Sequence, residues 1–164
     1  MSNGEGLMFR EEVGPTDPNL VRAIVASTGF FHGHEIEVAV ELVDERLQHG
    51  PDCGYLFLFA EQDGRTVGYS CYGEIACTQG SYDLYWIAVH DDLRGRGIGG
   101  LLLQKTEERI AARRGRAIWV ETSGQEKYLP TRKFYLRHGY REAAVLPDFY
   151  ADGDDKIVYV KKPG

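Results

Sequence analysis

Four glycines fall within six residues of this chain, at Gly95, Gly97, Gly99 and Gly100, between a strand-like run and a helix-like run. The run before them, 83–89, is Asp-Leu-Tyr-Trp-Ile-Ala-Val, rich in aromatic and branched residues. The run after them, 98–114, carries Ile98, Leu102, Thr106 and Ile110 along one helical line, and Gly115 reads as its stop. Glycines leave backbone N–H groups unshielded. A helix start points its orphan donors and its positive dipole end in the same direction. That combination binds phosphate groups, and Arg94 and Arg96 add charge-assisted donors.

Three nucleotide-binding patterns compete for this turn. A Walker A loop requires Gly-Lys-Ser/Thr before the helix, and Gly99-Gly100-Leu101 does not supply it. The dinucleotide pattern GxGxxG is matched by Gly95, Gly97 and Gly100, and Glu121 lies near the place of a ribose-binding acid. Two features oppose it: five residues separate Val89 from Gly95, and a hairpin-rich half precedes the motif in place of a second βαβ unit. The third pattern, Arg/Gln-x-x-Gly-x-Gly/Ala, is matched by Arg94, Gly97 and Gly99.

The rest of the chain frames that turn. A strand is expected at 7–13, and a helix from about Pro18 to 28 with Thr16 or Asp17 as its cap. A second helix begins near His34, with Ile36, Ala39, Val40, Val43 and Leu47 on one face, and ends at Gly50-Pro51. Strands at 55–61 and 65–72 flank Asp63-Gly64, a two-residue hairpin signal. A short strand at 117–121 and a helix at 130–138 follow the glycine turn. Strands at 140–146 and 156–161 close the chain, separated by a loop carrying Asp148, Asp152, Asp154 and Asp155. The expected fold is α/β (α+β): a mixed, mostly antiparallel sheet of six to seven strands with helices on both faces. At 164 residues, the chain fits a single domain over 1–164.

Composition narrows the function. The formal net charge is −6, which argues against a nucleic-acid partner, although residues 91–118 alone carry a net of +3 and residues 1–52 a net of −7. That split suits an anionic ligand on the first of these segments and a cationic one near the second. The longest apolar stretch, 55–60, is far short of the ~20 residues a membrane helix needs, so no membrane partner is expected. Residues 1–6 lack the basic and apolar runs of a signal peptide. Cys53, Cys71 and Cys77 are odd in number and have no CxxC spacing, so neither a disulfide framework nor a metal site is expected. A reducing cytoplasm is the simplest compartment.

The motifs carry a specific resemblance. Ile87-Ala88-Val89 followed by Arg94-Gly-Arg-Gly-Ile-Gly-Gly-Leu-Leu resembles the acetyl-CoA signature of the GNAT superfamily of N-acetyltransferases. Lys133-Phe134-Tyr135-Leu-Arg-His-Gly139-Tyr140 resembles its second signature, Phe-Tyr-x-x-x-Gly-Phe/Tyr on a helix. The two span roughly 83–140, and the element order extends the match over nearly the whole chain. The resemblance implies acetyl-CoA as cosubstrate. It places the pantetheine arm against the backbone of Ile87, Ala88 and Val89, in a strand-addition mode. It places the pyrophosphate in the amides of Arg94, Gly95, Arg96, Gly97, Ile98, Gly99 and Gly100. The sequence departs from the second signature where Asn and a small residue usually precede Phe-Tyr; Tyr128 and Thr131 stand there.

The implied reaction is acetyl transfer from a thioester to a primary amine, with a small amine or amino acid favoured and a peptide N-terminus also open. The amine must lose a proton, the carbonyl oxygen gains charge and the thiolate leaves. The resemblance puts Tyr135 near the sulfur as the acid, and the N–H of Val89 at the carbonyl. Two carboxylates compete as base. Asp83 stands where the histone-type branch has glutamate, one methylene shorter, which suits an intervening water. Glu121 stands where the ribosomal-protein N-terminal branch has its glutamate, although its spacing of 14 residues to Tyr135 is slightly long. His90 and His138 have no nearby Ser or Cys nucleophile. The acceptor is expected to meet Phe30, Phe31, Tyr72, Tyr82 and Trp86, with Glu35, Glu74 or the 148–155 loop attracting its ammonium. A homodimer is possible. Two rival readings are a nicotinamide-dinucleotide-binding oxidoreductase module and a non-catalytic CoA-binding regulatory domain.

Overall fold

The computed structural model describes residues 6–164. Residues 1–5, part of the stretch considered above for a leader, lie outside them. The elements run β1 (Leu7–Arg10), α1 (Asp17–Ser27), α2 (Gly33–His49), β2 (Leu56–Gln62), β3 (Arg65–Glu74), β4 (Ser81–Val89), α3 (Ile98–Ala112), β5 (Ala117–Ser123), α4 (Leu129–Arg137), β6 (Arg141–Ala151) and β7 (Asp154–Lys161). The strands form a seven-stranded sheet in the order β1-β2-β3-β4-β5-β7-β6. The β4–β5 ladder is parallel, while β1–β2, β2–β3, β5–β7 and β6–β7 are antiparallel. This is the mixed, mostly antiparallel sheet expected from the sequence. The chain divides into two compact units. One holds the residues up to Gly73 together with Trp86–Thr106, and the other holds Glu74–Tyr85 with Glu107–Gly164.

In the first unit, Asp63 and Gly64 both adopt positive φ (52° and 78°), as a two-residue hairpin between right-twisted strands requires. Strand alternation then sorts the side chains of β3. Tyr69 and Cys71, with Phe57 and Phe59 of β2, face Val21, Ile24 and Val25 of α1 and Ala39 and Val43 of α2. The Phe59 and Tyr69 rings lie 6.3 Å apart. On the other side of β3, the Ser70 hydroxyl meets the Thr106 hydroxyl of α3 at 2.7 Å, fully buried. Ile98 and Leu102 of the helical line identified in the sequence are buried with it. This unit therefore carries helices on both faces of its strands.

The expected cap of α1 differs. Thr16 makes no side-chain cap bond. The Asp17 carboxylate, only 1% exposed, accepts from Arg10 at 2.8 and 2.9 Å and from the Gly14 N–H at 2.7 Å. Arg10 also donates to Glu61 at 2.6 Å and lies over the Phe59 ring, which ties β1 to both α1 and β2. A buried carboxylate requires such a partner, and the demand overrides capping. Helix α2 runs from Gly33 to His49 as the periodicity indicated, with His32 and Glu35 closing a capping box at its start.

In the second unit, Ser81, Tyr82 and Asp83 pair with Ala117, Ile118 and Trp119. Two residues past the end of α3, Arg114 takes the left-handed conformation (φ 63°) expected of glycine. Gly115 is required for closeness instead: a Cβ there would lie 2.3 Å from the Ile110 side chain. The stretch expected as a loop with four aspartates is a hairpin continuing β6 and β7 to the pair Ala151 and Asp154. Its acids build the turn. The Asp148 carboxylate accepts from the Gly153 N–H at 2.7 Å, and the Asp155 carboxylate accepts from the Asp148 N–H at 2.9 Å.

Candidate active site

The glycine turn lies in the first unit. Strand β4 ends at Val89, and the His90 N–H donates to the Val67 carbonyl at 2.8 Å. A short 3₁₀ turn, Asp91–Leu93, then uses the five residues that separated the strand from Gly95, with Leu93 buried as its anchor. Side chains brace the turn: Arg65 pairs with Asp92 at 3.1 Å and Arg94 with Asp91 at 2.6 Å, and the His90 Nδ1 accepts from the Asp92 N–H at 3.3 Å. Gly95 and Gly97 have φ of 79° and 77°, and a Cβ at either would meet nothing within 4 Å. The first backbone bond into α3 runs from the Leu101 N–H to the Gly97 carbonyl at 3.2 Å. The amides of residues 95–100 thus have no backbone acceptor among the described residues. An open, positively polarised cradle of free donors fits a diphosphate. On the same unit, Phe31 from the α1–α2 connection packs edge-on against Trp86 of β4, centroids 5.1 Å apart.

Strand pairing gathers the carboxylates in the second unit. Asp83 pairs with Trp119, two residues before Glu121, and Lys156 pairs with Ser123, two residues after it. Side chains alternate along strands, so Asp83, Glu121 and Lys156 share one face of the sheet. Lys156 Nζ lies 2.9 Å from Glu121 and 4.2 Å from the centre of the Phe149 ring of β6. Asp83 is half-buried, and its carboxyl is held above the ordinary aspartate range by desolvation and by the charge of Glu121, with Lys156 opposing. Tyr150 of β6 is raised by burial, and the charges of Glu121 and Asp154 add to this.

Tyr135 belongs to the opposite face. It projects from α4 against Tyr159, whose neighbours on β5 include the buried Val120 and Thr122. It also packs edge-on against Tyr140. Burial alone holds its phenol well above the usual value, so it stays protonated across neutral pH. The long spacing to Glu121 is taken up by a 3₁₀ turn, Glu126–Tyr128, ahead of α4. That segment is secured by a residue the sequence did not single out. Arg132 donates to the carbonyls of Ser123 and Gln125, both at 2.8 Å, and so ties α4 to the end of β5.

Several expected acceptor contacts are employed elsewhere. Tyr72 and Tyr82 are buried at 1% and 3% exposure, Glu35 closes the α2 capping box, and Glu74 accepts from the Gly80 N–H. Phe30, Phe31 and Trp86 remain on the α1–α2 side of the first unit. Lys156 escaped the sequence reading because nothing local marks it; only the β5–β7 register brings it to Glu121.

Residues 53–142 match the acetyltransferase (GNAT) domain family. An uncharacterized N-acetyltransferase of Methanocaldococcus jannaschii is 37% identical over 112 residues, covering 68% of this chain and 67% of that protein. The chain spans 46% of the length of several further curated acetyltransferases that it matches. A Desulfovibrio desulfuricans protein assigned to the GNAT family superposes with a TM-score of 0.94 at 49% identity, over 96% of this chain and 99% of that one. An aminoglycoside 6′-N-acetyltransferase complexed with coenzyme A shares the fold, with a TM-score of 0.74 at 17% identity and coverage of 96% and 97%. The chain belongs to the GNAT family of acetyltransferases. It is an acyltransferase enzyme, carrying out acetyl transfer. Among the described residues no helix is long and apolar enough to cross a membrane, and no group of metal-ligating side chains is present.

Proposed function

We propose that this protein transfers the acetyl group of acetyl-CoA to a primary amine by direct attack, the thioester lying where β4 and β5 cease to pair, with Asp83 as general base from one face of the sheet and Tyr135 as hydrogen-bond donor to the departing sulfur from the other. In this reading the two compact units act as one catalytic domain in the cytoplasm. The observation that carries it is the carboxylate pair: a half-buried Asp83 beside Glu121 on one sheet face. An aspartate ordinarily titrates near ~3.9 and is a weak base at neutral pH; desolvation raises its proton affinity toward the working range. Glu121 is half-exposed and its charge is already engaged by Lys156, which leaves Asp83 as the carboxylate free to take a proton.

Bound acetyl-CoA supplies a thioester carbonyl open to nucleophiles. The amides of Gly95, Arg96, Gly97, Ile98, Gly99 and Gly100, with Arg94, hold the diphosphate. Past its three pairs with β5, β4 offers the backbone of Ile87, Ala88 and Val89 to the pantetheine arm. Asp83 takes a proton from the acceptor through a water, and the Val89 N–H steadies the charge on the carbonyl oxygen. Tyr135, with a proton affinity above that of a thiolate at ~8.5, donates a hydrogen bond more readily than it surrenders its proton. Direct attack is favoured over an acyl-enzyme because Cys71 is buried with its thiol pushed up, the opposite of an activated nucleophile. Small amines or amino acids are the favoured acceptors, with peptide N-termini as the second class. The test is thiol release from acetyl-CoA across an amine panel. Asp83→Asn is expected to abolish most turnover while CoA still binds; full rate in that variant contradicts the assignment.

A further inference from the structure

Lysine is among the residues least often buried, and its ammonium normally reaches water. Lys156 does not follow this habit: its side chain is only 13% exposed, whereas Glu121, its partner at 2.9 Å, is 49% exposed. Its stem leaves β7 opposite Ser123, and its ammonium sits over the Phe149 ring as well as on Glu121. Two independent contacts thus hold one cation within the face that carries both carboxylates. Withdrawing an ammonium from water costs free energy, so the partners that hold Lys156 on this face must compensate its lost hydration.

We propose that Lys156 is a positioning residue for the carboxylate pair, its fixed ammonium keeping Asp83 available as a proton acceptor beside Glu121. Two carboxylates on one partly desolvated face repel, and without a cation one of them takes up a proton and cannot act as base. The charged neighbours support this arrangement. Asp83 is acted on by Glu121 of β5, which raises it, and by Lys156 of β7, which lowers it. The phenol of Tyr150 of β6 is raised by burial, then by the charge of Glu121, with Asp154 of β7 and Tyr128 ahead of α4 adding to this. Lys156 is the cation that acts on Asp83 in this group, so removing it leaves Glu121 to act unopposed.

The catalytic consequence rests on Asp83 being the base proposed above, but the charge effect does not. The experiment separates them. The protein labelled with ¹³C at aspartate carboxyls is titrated by NMR, with Asp83 assigned by its loss in Asp83→Asn. Lys156→Met should raise the Asp83 midpoint by about one pH unit, Lys156→Arg should move it by less than half as much, and Glu121→Gln should lower it. Lys156→Gln replaces the methionine variant if that fails to fold. A rise of less than about half a unit on neutralising Lys156, or an arginine variant that moves as far as the methionine one, overturns the proposal. A full-rate Asp83→Asn would instead sink the base assignment and leave the titration result standing.

Discussion

The glycine turn and the carboxylate face reach the same end by opposite routes. The turn is contiguous: residues 95–100 present backbone donors, left uncovered by the glycines, with Arg94 and Arg96 adding charge. The carboxylate face is assembled from β4, β5, β6 and β7, and every group in it is a side chain delivered by register. Backbone recognition tolerates little change in conformation and much change in charge. Side-chain recognition behaves the other way. A coenzyme common to a whole family suits the first device, and an acceptor that varies between members suits the second.

Substitutions sharpen that contrast. Asp83→Asn should lower kcat by about 10²–10⁴, the usual contribution of a general base, without weakening CoA binding. The same change should stabilise the fold at neutral pH. The Asp83 carboxyl is raised in the folded state, so its contribution to stability is fully present below the unfolded value near ~3.9 and is lost as pH rises through the folded value. Thermal melts of the two proteins should therefore converge at acid pH and separate above it, with the variant higher. Gly97→Val should act on the other region. It strains a residue at φ 77° and misaligns the free amides, weakening CoA binding about ten- to hundredfold by calorimetry while the carboxylate titration stays unchanged. Tyr135→Phe should cost about tenfold in kcat, one hydrogen bond to a developing charge. The smallest effect lies away from both regions. The Tyr69 hydroxyl is buried without a partner among the described residues, so Tyr69→Phe should leave activity intact and raise stability by about 1 kcal/mol in denaturant melts.

What could be read from the sequence follows the same division. The turn, the flanking strand and the helical line from Ile98 to Ile110 were legible because each is a local pattern of period or residue type. The Asp63-Gly64 hairpin was legible for the same reason. The 148–155 acids misled, because aspartates that build a turn look in sequence like aspartates that attract a ligand. Tyr72 and Tyr82 misled because a tyrosine facing the core carries no mark to distinguish it from one facing a substrate. Lys156 and Arg132 were invisible because their partners come from other strands and from carbonyls, which no spacing rule records. Asp17 followed the same logic: a cap by sequence, it is the buried partner of Arg10 in space.

Amide hydrogen exchange with and without acetyl-CoA reads the occupancy of the glycine turn itself. The amides of residues 95–100, which have no backbone acceptor among the described residues, should gain protection as the coenzyme saturates. Saturation that leaves those six amides exchanging as fast as in the free protein would contradict the account.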